Sequence, residues 1–187
     1  MKKSTLALSL LLAFSVLFTF IGCASTKTPS SSSRGGAPAA APAAIDDPLN
    51  DYSRMFSHSP DMDFDIKNPS AWQNGDASRI WPSTGDPQNI VYKVKNVSSF
   101  AFVVGYYTWK HQDNPAMHGF KAYVSADGQA WTELESVSEA SDNGCWLFTT
   151  WKPKATIPSG SNYVKFEFFD KDLHWSSEVS EIHVYGR

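Results

Sequence analysis

Three stretches of the chain mix indole rings with short polar side chains. Residues 107–118 hold Trp109, His111, Gln112, Asp113 and Asn114. Residues 170–175 hold Asp170, Lys171, Asp172, His174 and Trp175. Residues 68–82 hold Trp72, Asn74, Arg79 and Trp81. A sugar ring offers a C–H face that stacks on an aromatic ring, and hydroxyls that need planar polar partners. Trp beside His, Asn, Asp, Gln or Arg on a loop meets both needs. The competing uses are ordinary ones. A lone His more often caps or decorates a surface than binds a ligand. Trp131 and Trp146 read as packing residues, and Trp81, before Pro82, as a core plug. Trp109, Trp151 and Trp175 are open to either role.

Other chemistries find less support. The chain has no Gly-x-Ser-x-Gly, no His-Glu-x-x-His and no phosphate loop. A glycosidase needs two carboxylates at a set separation in a cleft, which strand spacing does not reveal. The expectation is therefore binding without catalysis. Asp61, Asp63 and Asp65 open like an EF-hand loop, but Ile66 stands where Gly is needed and Trp72 where the closing Glu belongs. Alternation puts these three carboxylates on one solvated strand face. Cys145 reads as a small buried hydrophobe in the WLFTT strand. Asn96-Val97-Ser98 matches a glycosylation sequon and reads as a turn. The formal charge of −3 supplies no basic field for nucleic acid.

The elements that must position the three stretches are strands. Phe120, Ala122 and Val124 alternate with Lys121, Tyr123 and Ser125, a period of two. Asp127-Gly128 then signals a turn, and a second strand through Trp131 to Leu134 completes a hairpin. Further strands fall at 62–66, which reads as the first, and at 88–95, 98–107, 145–151, 162–169 and 178–185. Phe100, Phe102, Val104 and Tyr106 share one face of the third of these; Val164, Phe166 and Phe168 share one face of the fifth. Residues 68–82 read as a loop. About eight short strands with Gly, Pro, Asn and Asp at the turns, and no helical period, argue for an antiparallel β-sandwich.

The N-terminus is different. Lys2 and Lys3 precede an apolar run from Leu6 to Gly22, the pattern of an export signal. Gly22-Cys23 at its end resembles a bacterial lipobox, with Phe20 where Leu is usual, and implies lipidation of Cys23. Ordinary cleavage near Ala24 and an uncleaved anchor of near-spanning length are the alternatives. Residues 24–44 are Ser, Thr, Pro, Ala and Gly, which cannot bury enough surface to offset chain entropy. They read as a disordered tether. The division is signal 1–23, tether 24–44 and folded domain 45–187.

The segment Phe-Lys-Ala-Tyr-Val-Ser-Ala-Asp-Gly-Gln-Ala-Trp-Thr-Glu-Leu, residues 120–134, resembles the central hairpin of F5/8-type domains (discoidin, galactose-binding-like jelly rolls). That family includes many carbohydrate-binding modules of bacterial glycoside hydrolases. Residues 89–94 (NIVYKV) resemble its early strand and 177–186 its closing strand, in the right order over about the C-terminal three quarters of the chain. The resemblance implies a jelly-roll sandwich that binds glycans through loops at one end, which makes Trp109, His111, His174 and Trp175 the main carbohydrate-binding candidates. It also implies a structural Ca²⁺ held by an early Asp-rich turn and a Glu of the closing strand. Here those positions are Asp76 and Ser78 in the turn and Glu181 on the strand. Asp46, Asp47 and Asp51 form the alternative acidic cluster, and an Asp76–Arg79 pair is the alternative use of the turn. The expected role is to hold a glycan or polysaccharide at the cell envelope, with a lipid anchor in the membrane. Docking an envelope protein through the same loops is the second hypothesis, and a small polysaccharide hydrolase or lyase the third.

Overall fold

Side chains that alternate in sequence alternate between core and solvent in space. The computed structural model describes residues 43–66, 78–107, 118–142, 146–170 and 177–187. Among these lie twelve strands: β1 Ile45–Asp47, β2 Ser57–His58, β3 Met62–Asp65, β4 Arg79–Pro82, β5 Gln88–Lys93, β6 Val97–Tyr107, β7 His118–Ser125, β8 Thr132–Leu134, β9 Ser136–Asp142, β10 Trp146–Pro153, β11 Tyr163–Asp170 and β12 Ser177–Gly186. The larger sheet runs β3-β4-β12-β6-β10-β9, with β1 also paired to β12; the smaller runs β2-β5-β11-β7-β8. Each pairing is antiparallel, and the two sheets pack as a sandwich.

The eight expected strands are present, with ends moved by a residue or two. Four more strands, β1, β2, β4 and β9, escape the sequence pattern. The first two are short, so Met62–Asp65 is not the first strand. Residues 68–82 are not loop throughout either, since Arg79–Pro82 is β4. Its neighbours β3 and β12 hold it in place despite the terminal Pro, which ends the ladder. β9 is an edge strand of mostly exposed small and charged residues, with no apolar stripe to betray it.

The core sits where β6 faces β11. Phe100, Phe102, Val104 and Tyr106 are buried, as are Val164, Phe166 and Phe168. The Phe166 ring lies 5.0 Å from Phe100 and 5.1 Å from Phe102, tilted or edge-on, as ring quadrupoles prefer. Burying each such side chain contributes about 1.5–3 kcal/mol. Trp151 stacks on Phe120, with centroids 5.0 Å apart and planes 18° apart, and packs against this cluster. It belongs to the core margin.

One polar strut crosses the sandwich. Asp47 of β1 is 2% exposed; its carboxylate accepts from the Leu49 amide at 2.8 Å and from the Tyr92 hydroxyl of β5 at 2.7 Å. Two donors satisfy a charge that would otherwise be costly to bury. Burial first, then the negative charge of Asp47, pushes the Tyr92 phenol far above its ordinary range.

Candidate functional site

The strand ends decide which connections share a pole of the sandwich. In the larger sheet, β12 begins at Ser177 opposite Tyr106 and β10 begins at Trp146 opposite Tyr107, where β6 ends. In the smaller sheet, β11 ends at Asp170 opposite His118, where β7 begins. Positions 108–117, 143–145 and 171–176 therefore leave from strand termini at one end, whereas β4 runs toward that end, antiparallel to β12, so that β3 ends and β4 begins on the side away from it. The opposite end carries the β5–β6 and β7–β8 turns and both termini of the domain. Ile45 pairs with Val184, and a Cβ built on Gly186 would lie 3.7 Å from the Ala44 Cβ. The chain thus enters the fold at the pole away from those connections.

Trp109, His111, His174, Trp175, Asp76 and Cys23 lie outside the described residues. What the structure defines is the base on which the first four are mounted. Arg79 and Glu178, the first or second residues of β4 and β12, form an ion pair with Nε to Oε2 at 3.1 Å. Their side chains are only 1% and 11% exposed. A pair this buried ties β4 to β12, because opposite charges offset part of each other's desolvation. Arg79 thus has a partner in Glu178 that the sequence turn around Asp76 did not suggest. Gln88, at the same end of β5, is buried too; its amide nitrogen donates to the Thr84 hydroxyl at 3.2 Å and the Asp86 carbonyl at 2.9 Å. Its amide oxygen has no partner among the described residues.

The structure describes two of the three expected calcium ligands and brings them close in register. Val179 of β12 pairs with Ile80 of β4. Two residues away, in opposite chain directions, stand Glu181 and Ser78, so antiparallel pairing places them on neighbouring positions. Ser78 is buried, and its hydroxyl donates to the Pro48 carbonyl. Glu181 follows a register shift in the β12–β6 ladder, where a β-bulge re-aims a side chain. The extra residue, Ser180, is 5% exposed, and its hydroxyl has no partner among the described residues. One oxygen of Glu181 lies 3.2 Å from His183 Nε2, and His183 Nδ1 lies 3.1 Å from Asp46 Oδ1.

The alternative acidic cluster is not assembled. Asp46 meets His183, Asp47 holds Tyr92, and Asp51 accepts from the Ser53 amide at 2.7 Å. The Ser53 hydroxyl first, and then this amide, keep the Asp51 carboxyl below its ordinary value. Asp63 is exposed and alternates with the buried Met62 and the packed Phe64, as the period of two expects, and exposed Asp61 just precedes β3. Among the described residues no three His, Cys, Asp or Glu side chains group to hold a metal.

Sequence reasoning missed Glu178 and Ser180. Glu178 sits in the polar run Ser176-Ser177-Glu178, where nothing local marks a partner 99 positions away (178 − 79). Ser180 became notable only through the bulge.

No family model matches the chain, and no curated protein matches it. A solved structure to which it is similar is the C-terminal domain of a chitobiase from Bacteroides fragilis. The match has 18% identity over 63% of this chain and 70% of that one, with a TM-score of 0.32. A likeness that loose assigns no role to any residue of this chain.

Proposed function

We propose that the chain is a non-catalytic carbohydrate-binding module of an exported lipoprotein, holding a glycan or polysaccharide at the cell envelope. One observation carries this reading. The strand ends that flank two of the Trp-bearing stretches, 107–118 and 170–175, converge at one pole, and the N-terminal segment joins the fold at the other. A domain tethered through Cys23 would then present Trp109, His111, His174 and Trp175 away from the membrane. Binding would come from stacking on indole rings and hydrogen bonds from the His side chains, with no bond made or broken. Exposed polar contacts compete with water, so single-site affinity is weak. Ca²⁺, held by Asp76, Ser78 and Glu181, would staple the early turn to the closing strand through hard oxygen ligands.

The test is a glycan-array screen of the full chain in calcium and again with chelator. The expected result is binding to one sugar class that Trp109→Ala or Trp175→Ala abolishes. Loss with chelator, accompanied by a lower melting temperature, assigns the ion a supporting role. No binding to any glycan in calcium sinks the reading and turns attention to an envelope protein partner. Separately, Cys23→Ser should move the protein from the membrane to the soluble fraction.

A further inference from the structure

We infer that the outer face of the five-stranded sheet is a second glycan platform, which takes acidic polysaccharides across Lys93 and Lys165 and the rings that hold them. The inference rests on the carbohydrate-binding reading, but it uses none of the loop residues.

Because Val164, Phe166 and Phe168 face the core, Tyr163, Lys165 and Glu167 face outward from β11. The Lys165 ammonium lies 4.3 Å from the Tyr123 ring centre and 5.0 Å from that of Trp131. The Lys93 ammonium lies 5.4 Å from Tyr163 and 5.8 Å from Phe56. Phe56 in turn meets Tyr163 edge-on at 5.2 Å. Each cation is held between two rings, so its position is fixed at low entropic cost when an anion arrives. β11 pairs Tyr163 with Lys93 and Lys165 with Val91, so the two lysines are diagonal neighbours on adjacent strands.

The charges of these lysines are unspent. Neither has a carboxylate partner among the described residues. The lysines of the other sheet's β10 edge differ: Lys152 meets Glu139 at 2.8 Å, and Lys154, just beyond the strand, meets Glu135 at 2.7 Å. The outer face of that larger sheet presents Asp46, Glu139 and Glu181, which would repel a polyanion. On the smaller sheet's outer face Glu133 and Glu167 are outnumbered by Lys93, Lys121 and Lys165, so charge favours that face in a chain whose formal net charge is −3.

Shape selects the occupant. Five strands at about 4.8 Å spacing make a flat strip of roughly 20 Å, which suits a linear chain better than a small molecule needing a concave pocket. A uronate unit would set its carboxylate on an ammonium and its C–H face on an open ring edge. An anionic lipid surface fits less well. Glu133 and Glu167 lie on the same face, and of these rings only Phe56, 57% exposed, stands clear of the sheet.

The experiment is affinity electrophoresis of the full chain through gels containing polygalacturonate or a neutral galactan, with anionic phosphatidylglycerol vesicles as a third probe. Polygalacturonate should retard the native chain, and retardation should fall as salt shortens the screening length. The Lys93→Gln/Lys165→Gln double variant should lose roughly tenfold in affinity, the size that two exposed charge contacts supply. Lys93→Arg/Lys165→Arg should retain it, and an unchanged melting curve of the Gln variant should show that the fold is intact. Free migration of the native chain through polygalacturonate overturns the inference. So does a Gln variant retarded as strongly as the native chain, or a preference for the vesicles. Binding to the neutral galactan or the array sugars, lost in Trp109→Ala, reports on the loop end alone, so either reading can fail while the other stands.

Discussion

The two ends of the sandwich are held by different kinds of interaction. At the end where the domain begins and finishes, the turns are short and mostly satisfied by near neighbours. Asp127 Oδ1 accepts from the amides of Gln129 at 2.8 Å and Ala130 at 3.0 Å, and Ser125 Oγ from Gly128 at 2.9 Å. Gly128 takes φ of 79°, in the left-handed region open to Gly, and Asn96 takes 49° in its own turn. Asn162 then joins the turns: its amide donates to the Ser125 carbonyl at 2.8 Å, and its Oδ1 accepts from the Asn96 amide at 3.1 Å. Toward the other end the described contacts include a buried pair far apart in sequence, Arg79 with Glu178, and the Gln88 amide on Thr84 and Asp86. The pole proposed to bind ligand thus adds a buried tertiary pair to its local turn contacts, whereas the other rests on turn chemistry. A binding end built in this way can change its connections without disturbing the turns that set strand register.

The largest effect that separates the two ends should come from the ion pair. Glu178→Ala removes the carboxylate that faces the buried Arg79 side chain and should destabilise the fold by about 3 kcal/mol, read by urea unfolding. Arg79→Met with Glu178→Leu should restore most of that. If the single change costs no more than a surface mutation, the loop end is held by something else.

Tyr92→Phe tests the cross-sheet strut next. It removes one of two donors to buried Asp47 and should cost about 1–3 kcal/mol. It also carries a pH signature. The Tyr92 phenol is raised in the fold, so its contribution is intact below its unfolded value near 10 and is lost as pH climbs above that. The Phe variant should show a shallower alkaline fall in melting temperature than the native chain.

At the turn end the effects are smaller. Gly128→Ala forces Cβ into a left-handed position and to 3.3 Å from the Tyr163 ring, at a cost of about 1–2 kcal/mol. The Gln129 and Ala130 amides, the largest influences on Asp127, hold its carboxyl below the usual 3.8. That support is present at neutral pH and is lost as pH falls through the carboxylate range. Amide exchange at Gln129 and Ala130 should then quicken before the core strands respond. Smallest of all, Lys154→Ala removes a fully exposed pair with Glu135 and should leave the melting temperature unchanged.

The turn end was legible because its signals are local. Asp127-Gly128 and the alternation on either side announced the hairpin, and β7 and β8 pair as expected, Val124 with Thr132. Asn96 reads as a turn and makes one. The inward faces of β6 and β11 were equally plain, since Phe and Val at every second position have one stable destination. The strands that stayed hidden, β1, β2, β4 and β9, are short or polar and exist because a neighbour pairs with them. Trp131 was read as packing; it lies half-buried on the outer sheet face against Lys165, outside the core cluster. Trp151, open to either role by sequence, went to the core margin.

Composition, period-two alternation and turn residues determine that this chain makes a β-sandwich and which faces of its central strands are dry. They act through near neighbours and through solvent, which every residue meets directly. The tertiary structure alone decided that Arg79 meets Glu178, that Asp47 reaches Tyr92, and that Lys93 and Lys165 stand side by side between aromatic rings. These are contacts between residues far apart in sequence, and strand order and register choose them only after the sheets have formed.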